Sequence, residues 1–350
     1  MTAVPCTLIR GGTSRGAYFL ASDLPAEGAA RNALLTRIMG GPDALQVDGI
    51  GGGHPLTSKV AVLRAGNDPD IDVSYLFLQV DPVKQTVSDA QNCGNILAGV
   101  GVYALEHGLV GFDSPVTMVR VRMENSGAVC HLDMPTPGGR LETAGDAAID
   151  GVPGAAAPIV CNYLGIAGSS CGALQPTGCA VDHVEGLDVT CVDNGMPVVV
   201  MRAQDLGLSG TETPEWLDGN DPLKARLEAL RLAIAPRMHL GNVASKSVPK
   251  LCLVSAPVNG GAVATRTFIP HVCHTSIGVL GAVSAATACL LPGSVAEGIA
   301  EVPDGETKVM DIEHPSGSLR VQLGLDAGGG VATAGVVRTA RLLFRGEVYV

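Results

Sequence analysis

The segment Ile-Leu-Ala-Gly-Val-Gly-Val-Tyr-Ala-Leu at 96–105 is apolar at every position. A helix without a polar face must be buried on all sides, and this one is far shorter than the ~20 residues needed to cross a membrane. The sequence therefore predicts a helix running through the middle of a protein layer. Immediately before it stands Gln91-Asn92-Cys93-Gly94-Asn95. Asn92 or Cys93 falls near the N-cap, where the first backbone N–H groups have no partner within the helix. Such an end binds anions, and a cysteine there is biased toward thiolate. The tip is a candidate active-site floor; the plainer alternative is an inert buried cysteine beside a capping asparagine.

Composition narrows the class. The chain has 350 residues, 46% hydrophobic and 16% charged, which suits a globular protein with large cores and a length of about two domains. Lys and Arg number 23 against 34 Asp and Glu, so the formal net charge of −11 argues against nucleic acid or an anionic membrane as partner. A small anionic substrate remains open, because a local site can oppose the global field. Met1-Thr2-Ala3-Val4-Pro5 does not read as a signal peptide and no segment has membrane-spanning length, so a cytoplasmic location is expected. The 10 cysteines should then be reduced. No Cys-x-x-Cys pair occurs and the Cys/His spacings match no zinc template, so no metal site is expected.

In chain order, a strand at Cys6–Arg10 leads through Gly11-Gly12-Thr13-Ser14-Arg15-Gly16 to a second at Ala17–Ala21. An amphipathic helix is expected over Arg31–Met39. Gly51-Gly52-Gly53-His54-Pro55-Leu56-Thr57-Ser58-Lys59 then enters a strand at Val60–Leu63. This is no P-loop, since the Gly-Lys-Ser/Thr order and following helix are missing. Lys59 sits where a loop enters a buried strand, a setting that can shift a lysine pKa. Strand Tyr75–Val80 precedes the buried helix, and strand Val116–Met123 reaches the turn Glu124-Asn125-Ser126-Gly127.

The same order then recurs. Ser22-Asp23-Leu24 falls on Gln204-Asp205-Leu206, Ser58-Lys59 on Pro249-Lys250, Cys93-Gly94-Asn95-Ile96 on His274-Thr275-Ser276-Ile277, and Asn125-Ser126-Gly127 on Pro315-Ser316-Gly317. All four separations lie close to half the chain. The chain therefore reads as a tandem duplication of one α+β unit of about 180 residues. Domains are expected at 1–180 and 181–350, with the last strands able to cross back to the first. Each unit should be mainly antiparallel sheet wrapped around a central buried helix. Gly/Ala/Pro-rich Thr136–Gln175 reads as the connection. The two helix tips, Cys93-Gly94-Asn95 and His274-Thr275-Ser276, are expected to converge on one cleft suited to a di- or tricarboxylate.

Arg10-Gly11-Gly12-Thr13-Ser14-Arg15-Gly16, Gly51-Gly52-Gly53 through Thr57-Ser58-Lys59, and Asn92-Cys93-Gly94-Asn95 together resemble the PrpF-like (2-methylaconitate isomerase) family over nearly the whole chain. Within it, His54-Pro55-Leu56 before Thr57-Ser58-Lys59 looks more like the 4-oxalomesaconate tautomerases. The resemblance implies the diaminopimelate epimerase-like fold, which agrees with the repeat. It also implies a cofactor-independent isomerase that shifts a proton and a double bond in an unsaturated polycarboxylate, with Lys59 and Cys93 as catalytic residues. Such chemistry suits them. A neutral lysine can take a weakly acidic carbon-bound proton, and N–H groups of Gly94 and Asn95 with Ser58 can hold the resulting dienolate. Epimerases of this fold use a thiol at both tips, whereas here His274 stands opposite Cys93 and Cys273 is one residue early.

Thr13, Ser14, Arg15, His54, Ser58, Asn92, Gly94 and Asn95 are the candidate substrate ligands of the first half. Arg266 can clamp a carboxylate or serve a structural ion pair. Lys250 repeats Lys59 by position, and Thr275 and Ser276 repeat the helix tip. His54, His271 and His274 show no metal spacing. The leading function is 4-oxalomesaconate tautomerase of gallate-type aromatic breakdown. A 2-methylaconitate or aconitate isomerase is the alternative, and a non-catalytic polycarboxylate-binding protein the third. Exposed edge strands would allow a homodimer.

Overall fold

A computed structural model describes residues 2–90 and 93–350. The chain forms two compact units, Met1–Leu164 with Val337–Val350 and Gly165–Val336. The division falls before residue 180 because the segment expected to be pure connection carries a strand, Ile159–Leu164, paired antiparallel with Val129–Pro135 of the first unit.

In the first unit the strands are β1 (Ala3–Gly11), β2 (Ser14–Leu20), β3 (Lys59–Asp68), β4 (Ile71–Asp81), β5 (Thr86–Ser88), β6 (Val116–Met123), β7 (Val129–Pro135), β8 (Ala147–Ala148), β9 (Ala155–Ala156) and β10 (Ile159–Leu164). The helices are α1 (Gly28–Ile38) and α2 (Gly94–Glu106). The second unit holds β11 (Asp182–Val184), β12 (Leu187–Asp193), β13 (Pro197–Arg202), β14 (Lys250–Ser255), β15 (Val263–Phe268), β16 (Thr307–His314), β17 (Gly317–Leu325) and β18 (Val331–Arg338). Its helices are α3 (Pro214–Asp218), α4 (Asp221–Ile234) and α5 (Val279–Leu290), and β19 (Ala340–Tyr349) returns to pair with β1.

Strand pairing shows the duplication directly. β1/β2, β3/β4, β6/β7 and β7/β10 are antiparallel, while β2/β3 and β4/β6 are parallel. The second unit repeats that alternation: β12/β13, β14/β15, β16/β17 and β17/β18 antiparallel, β13/β14 and β15/β16 parallel. Even the register of the two lysines matches. Gly16 pairs with Lys59 at the start of β3, and Val198 pairs with Lys250 at the start of β14.

Every residue of α2 from Ile96 to Leu105 is buried, as its unbroken apolar sequence demands. One sheet face carries residues that meet this helix, and the alternating residues face away from it. Tyr18 of β2 donates from its hydroxyl to the Ile96 carbonyl at 2.6 Å. Ala17, Phe19, Val60, Val62, Leu78 and Val80 form a second core that also takes in Leu35, Ile38 and Met39 of α1 and its end. In the second unit α5 is buried from Gly281 to Cys289. Leu223, Leu227, Leu230 and Ile234 of α4 pack onto β12–β15, and Asn220 caps α4 by accepting from the Leu223 N–H at 3.1 Å.

One expectation needs correction. His274-Thr275-Ser276 is not the tip of the second buried helix: α5 starts at Val279, with Gly278 as N-cap. The His274 N–H instead donates to the Thr267 carbonyl at 2.7 Å, which prolongs the pairing of β15, and the Ser276 N–H donates to His274 Nδ1 at 2.8 Å. Backbone groups used in this way are not free to open a helix.

Among the described residues no helix is long and apolar enough to cross a membrane. Gly99 of α2 faces the Tyr18 hydroxyl and Ile9, so a Cβ there would overlap the ring oxygen. Gly→Ala in a helix normally stabilises by about 1 kcal/mol. Here Gly99→Ala is expected to destabilise by about 1–3 kcal/mol through overpacking, read as a lower urea midpoint at unchanged slope.

Candidate active site

The site in the first unit is assembled on β4. Tyr75, Phe77 and Gln79 project to one face, two residues apart. The Tyr75 hydroxyl reaches the Cys93 carbonyl at 3.5 Å, the Phe77 ring lies 5.1 Å from Lys59 Nζ, and Gln79 Oε1 accepts from Lys59 Nζ at 2.7 Å. One strand face thus carries partners of both the lysine and the cysteine. Lys59 is only 7% exposed and opens β3. Gln79 is itself held, since its amide nitrogen donates to the Pro55 and Ser58 carbonyls at 3.1 and 3.0 Å.

Cys93 is the N-cap of α2 and makes no side-chain cap. The Gly94 and Asn95 N–H groups open the helix, where backbone donors have no partner within it. Burial first, and the Cys93 sulfur after it, holds the Tyr18 and Tyr75 hydroxyls well above their ordinary range, so both remain neutral donors. Arg338 is almost fully buried, and burial holds its pKa below the ordinary value, opposed by the nearby Cys161, Tyr163 and Cys93. Its Nε has no hydrogen-bond partner among the described residues.

The glycine-rich motifs have local structural reasons. The β1–β2 hairpin turns through Gly12, at φ +51°, and its tip rests on the first turn of α2. A Cβ on Gly11 would strike the Asn95 carbonyl, and one on Gly12 the Asn95 carboxamide. Asn95 Nδ2 donates to Thr13 Oγ1 at 2.9 Å, locking tip to helix. Ser14 Oγ is buried with no hydrogen-bond partner among the described residues. The Gly51–Lys59 loop folds around Gln46, a buried residue at φ +58°. Its Oε1 accepts from the Gly53 N–H at 2.6 Å and from Ser58 Oγ at 2.8 Å, and its Nε2 donates to the Met39 carbonyl at 2.7 Å. His54 is exposed and accepts from the Leu56 N–H at 3.1 Å, capping a single turn.

The structure therefore gathers Thr13, Ser14, Ser58, Lys59, Cys93, Gly94 and Asn95 around α2 and β4 of one unit. Arg15 lies beside Gly52 and Thr57. Asn92 lies outside the described residues. Lys250, Arg266, Thr275 and Ser276 belong to the second unit. There, Arg266 donates to the Glu212 and Thr265 carbonyls at 2.6 and 2.8 Å, so these N–H groups serve the backbone. Burial, then Arg231, lowers the Lys250 pKa; burial, then Lys250, lowers that of His274. Ser276 Oγ lies 3.3 Å from His314 Nε2, and Thr275 is exposed. Sequence reasoning missed Gln46, Gln79 and Arg338. Gln46 and Gln79 are unremarkable in composition, and Arg338 becomes relevant only because the chain returns to the first unit.

A model of the PrpF protein family matches residues 1–350. The chain belongs to the PrpF family. It is 56% identical over 347 residues to a 4-oxalomesaconate tautomerase of Pseudomonas putida, covering 99% of this chain and 96% of that one. It is also 56% identical over 350 residues to a (4E)-oxalomesaconate Delta-isomerase of a Novosphingobium species, covering 100% and 98%. A crystal structure of methylitaconate-delta-isomerase matches with TM-score 0.91 at 31% identity, covering 100% of this chain and 96% of that one. A hydroxyproline epimerase from Agrobacterium vitis matches at TM-score 0.51 and 14% identity over 99% and 92% of the two chains, a likeness of fold alone. The chain thus has the α+β, diaminopimelate epimerase-like fold that the family resemblance implied and with which the repeat agrees.

Of the ten cysteines only Cys179 is exposed and only Cys93 half-buried. Burial pushes the Cys6, Cys161 and Cys252 thiols up to about 12. In the native protein, Cys179 and Cys93 are expected to react with a thiol reagent well before the others. Cys179→Ser should leave one fast thiol, counted by absorbance, whose modification stops turnover. For His274 the folded pKa lies below the unfolded one, so the unfolded state binds more protons below about pH 6.5. Stability should fall as pH drops through that region, and His274→Gln should flatten the fall in melting midpoint between pH 7.5 and 5.5.

Proposed function

We propose that this PrpF-family protein is a 4-oxalomesaconate tautomerase acting without a cofactor, with Lys59 as base. The observation that carries the mechanism is the common face of β4, which serves Lys59 through Gln79 and Phe77 and Cys93 through Tyr75. The identity of 56% to two relatives named for oxalomesaconate, over nearly the whole chain, favours that substrate over methylitaconate-type skeletons.

A carbon-bound proton next to a carbonyl or alkene and a carboxylate is weakly acidic. Lys59, as the free amine, takes that proton; the C–H electron pair moves into the conjugated system and gives a dienolate. Preorganised donors stabilise such charge in a water-poor site. The Gly94 and Asn95 N–H groups at the helix N-terminus are suited to this, whereas the Ser58 hydroxyl is already engaged by Gln46 Oε1 at 2.8 Å and the His54 carbonyl at 3.0 Å. Cys93 then returns a proton at oxygen or at the far allylic carbon and is left as thiolate; the proton held by the Lys59 ammonium passes to that thiolate through solvent, which restores the free amine and the thiol for the next turnover. Gln79 keeps the amine aimed, and Asn95 with Thr13 keeps the hairpin tip against the helix. The charge balance and ten free cysteines suit the cytoplasm.

Lys59→Ala is expected to lower kcat by roughly 10²–10⁴-fold while ligand-induced thermal stabilisation persists. The deciding experiment is a proton NMR time course in D2O with the protein given 4-oxalomesaconate in one tube and 2-methylaconitate in another. Fast conversion of the first, with deuterium entering at one position, is the expected outcome. Turnover of only the second would move the substrate to the methylaconitate branch. No exchange in either tube would sink the mechanism.

A further inference from the structure

Three arginines of the first unit stand in a row across adjacent strands. Arg15 of β2 is directly opposite Arg10 of β1, and Arg10 is directly opposite Arg341 of β19. Residues in register project to the same face, and like charges so placed repel. No ion pair among the described residues involves any of the three. The alignment depends on a β-bulge. Leu8 pairs with Phe344 and Ile9 with Leu342, so Leu343 is the extra residue. A regular ladder from Leu8 would set Leu342 opposite Arg10 and turn Arg341 to the other face.

The row is also built to stay in place. One terminal nitrogen of Arg10 donates to the carbonyls of Gly12 and Thr339 and to Thr339 Oγ1, each at 3.0 Å. Arg15 Nε is buried without a hydrogen-bond partner among the described residues. Burial, then Arg341, lowers the Arg10 pKa, as expected of a half-buried guanidinium with a second cation in register beside it. All three line a cavity of about 650 Å³ that also has Thr143, Thr339 and apolar walls from Val152–Ala156 and Leu342–Leu343.

This cavity is not the Lys59–Cys93 site. Gly11 and Gly16, which flank Arg10 and Arg15 along their strands, meet Asn95 and Ile96 of α2. Lys59, in register with Gly16, shares that inner face. Arg10 and Arg15 alternate to the outer one.

We propose that the Arg10–Arg15–Arg341 row is a second binding site, for a small di- or tricarboxylate, on the sheet face opposite the Lys59–Cys93 site. Guanidinium forks match carboxylates two bonds at a time. The carbon-lined walls suit a polycarboxylate better than a bare inorganic anion. The inference rests on strand register and the cavity, and holds whatever reaction Lys59 performs.

The test is calorimetric titration and thermal shift of the full chain with citrate, inorganic phosphate and acetate at constant ionic strength. Wild type is compared with R341Q and the R10Q/R341Q double variant. Arg341 is exposed, so R341Q removes no core contact. Citrate is expected to bind more tightly than phosphate or acetate, and R341Q to weaken citrate roughly 10–100-fold with unchanged uninhibited kcat. R341K, which keeps the charge but not the fork, should fall between. Citrate binding as tight in R10Q/R341Q as in wild type would overturn the proposal. Equal affinity for phosphate and citrate would overturn the polycarboxylate assignment.

Discussion

Everything in the first unit depends on burying α2. A helix with no polar face cannot lie on a surface, so the sheet must surround it, and the sheet can do so only where its own side chains allow close approach. Gly99 and Gly101 meet Tyr18 and Met134 where a larger residue would hold the strands off. The Tyr18 hydroxyl then takes up the Ile96 carbonyl within that contact. Once the helix is fixed, its N-terminus is fixed too. Cys93 and the N–H groups of the first turn cannot move without disturbing the core. A site built on this end inherits the rigidity of the fold rather than of a loop.

The second ordering element is the period of a strand. On β4, Tyr75, Phe77 and Gln79 reach toward α2, whereas Leu78 and Val80 join the core containing α1. The same alternation separates Lys59 from Val60 and Val62, and Gly16 from Ala17. One sheet therefore runs two chemistries back to back: a dry core with α1, and a polar corner at the tip of α2. The arginine row uses the outer face beyond the end of that dry core. Net charge says nothing of this. A chain with formal net charge −11 places Arg10, Arg15 and Arg341 in one row and the buried Arg338 near Cys93.

Much of this was legible before any coordinates. The buried helix with Cys93 near its start and the half-chain repeat follow from apolar runs and matched spacing, whereas Lys59 became a candidate through the resemblance of its motif. Strand Val116–Met123 agrees in both bounds with the sequence reading. What escaped was non-local. Gln79 matters because β4 pairs with β3 in the register that sets it opposite Lys59. Arg341 matters because the chain's end returns to β1 and a bulge turns it to the face of Arg10. Pairings between residues hundreds of positions apart leave no periodic trace. The start of α5 was misjudged for a related reason. An apolar run beginning at Ile277 looks helical from there, but the preceding backbone is already engaged with β15.

The two units also show how a duplicated scaffold becomes asymmetric without changing its pairings. Lys59 and Lys250 open equivalent strands in the same register, yet their surroundings differ. Lys59 is held by the amide of Gln79, whereas Lys250 has Arg231 and His274 as electrostatic neighbours. Cys93 sits at its helix start. Its sequence counterpart His274 precedes α5 within a loop, and Cys273 beside it is buried, with burial pushing its thiol up to about 11. A thiol so far above neutrality is a poor base at pH 7. A mechanism with matched thiols in the two units therefore has no support in these residues. What the diverged halves leave in the first unit is one buried amine, one half-buried cysteine and the helix end between them, the set on which the proposed mechanism draws.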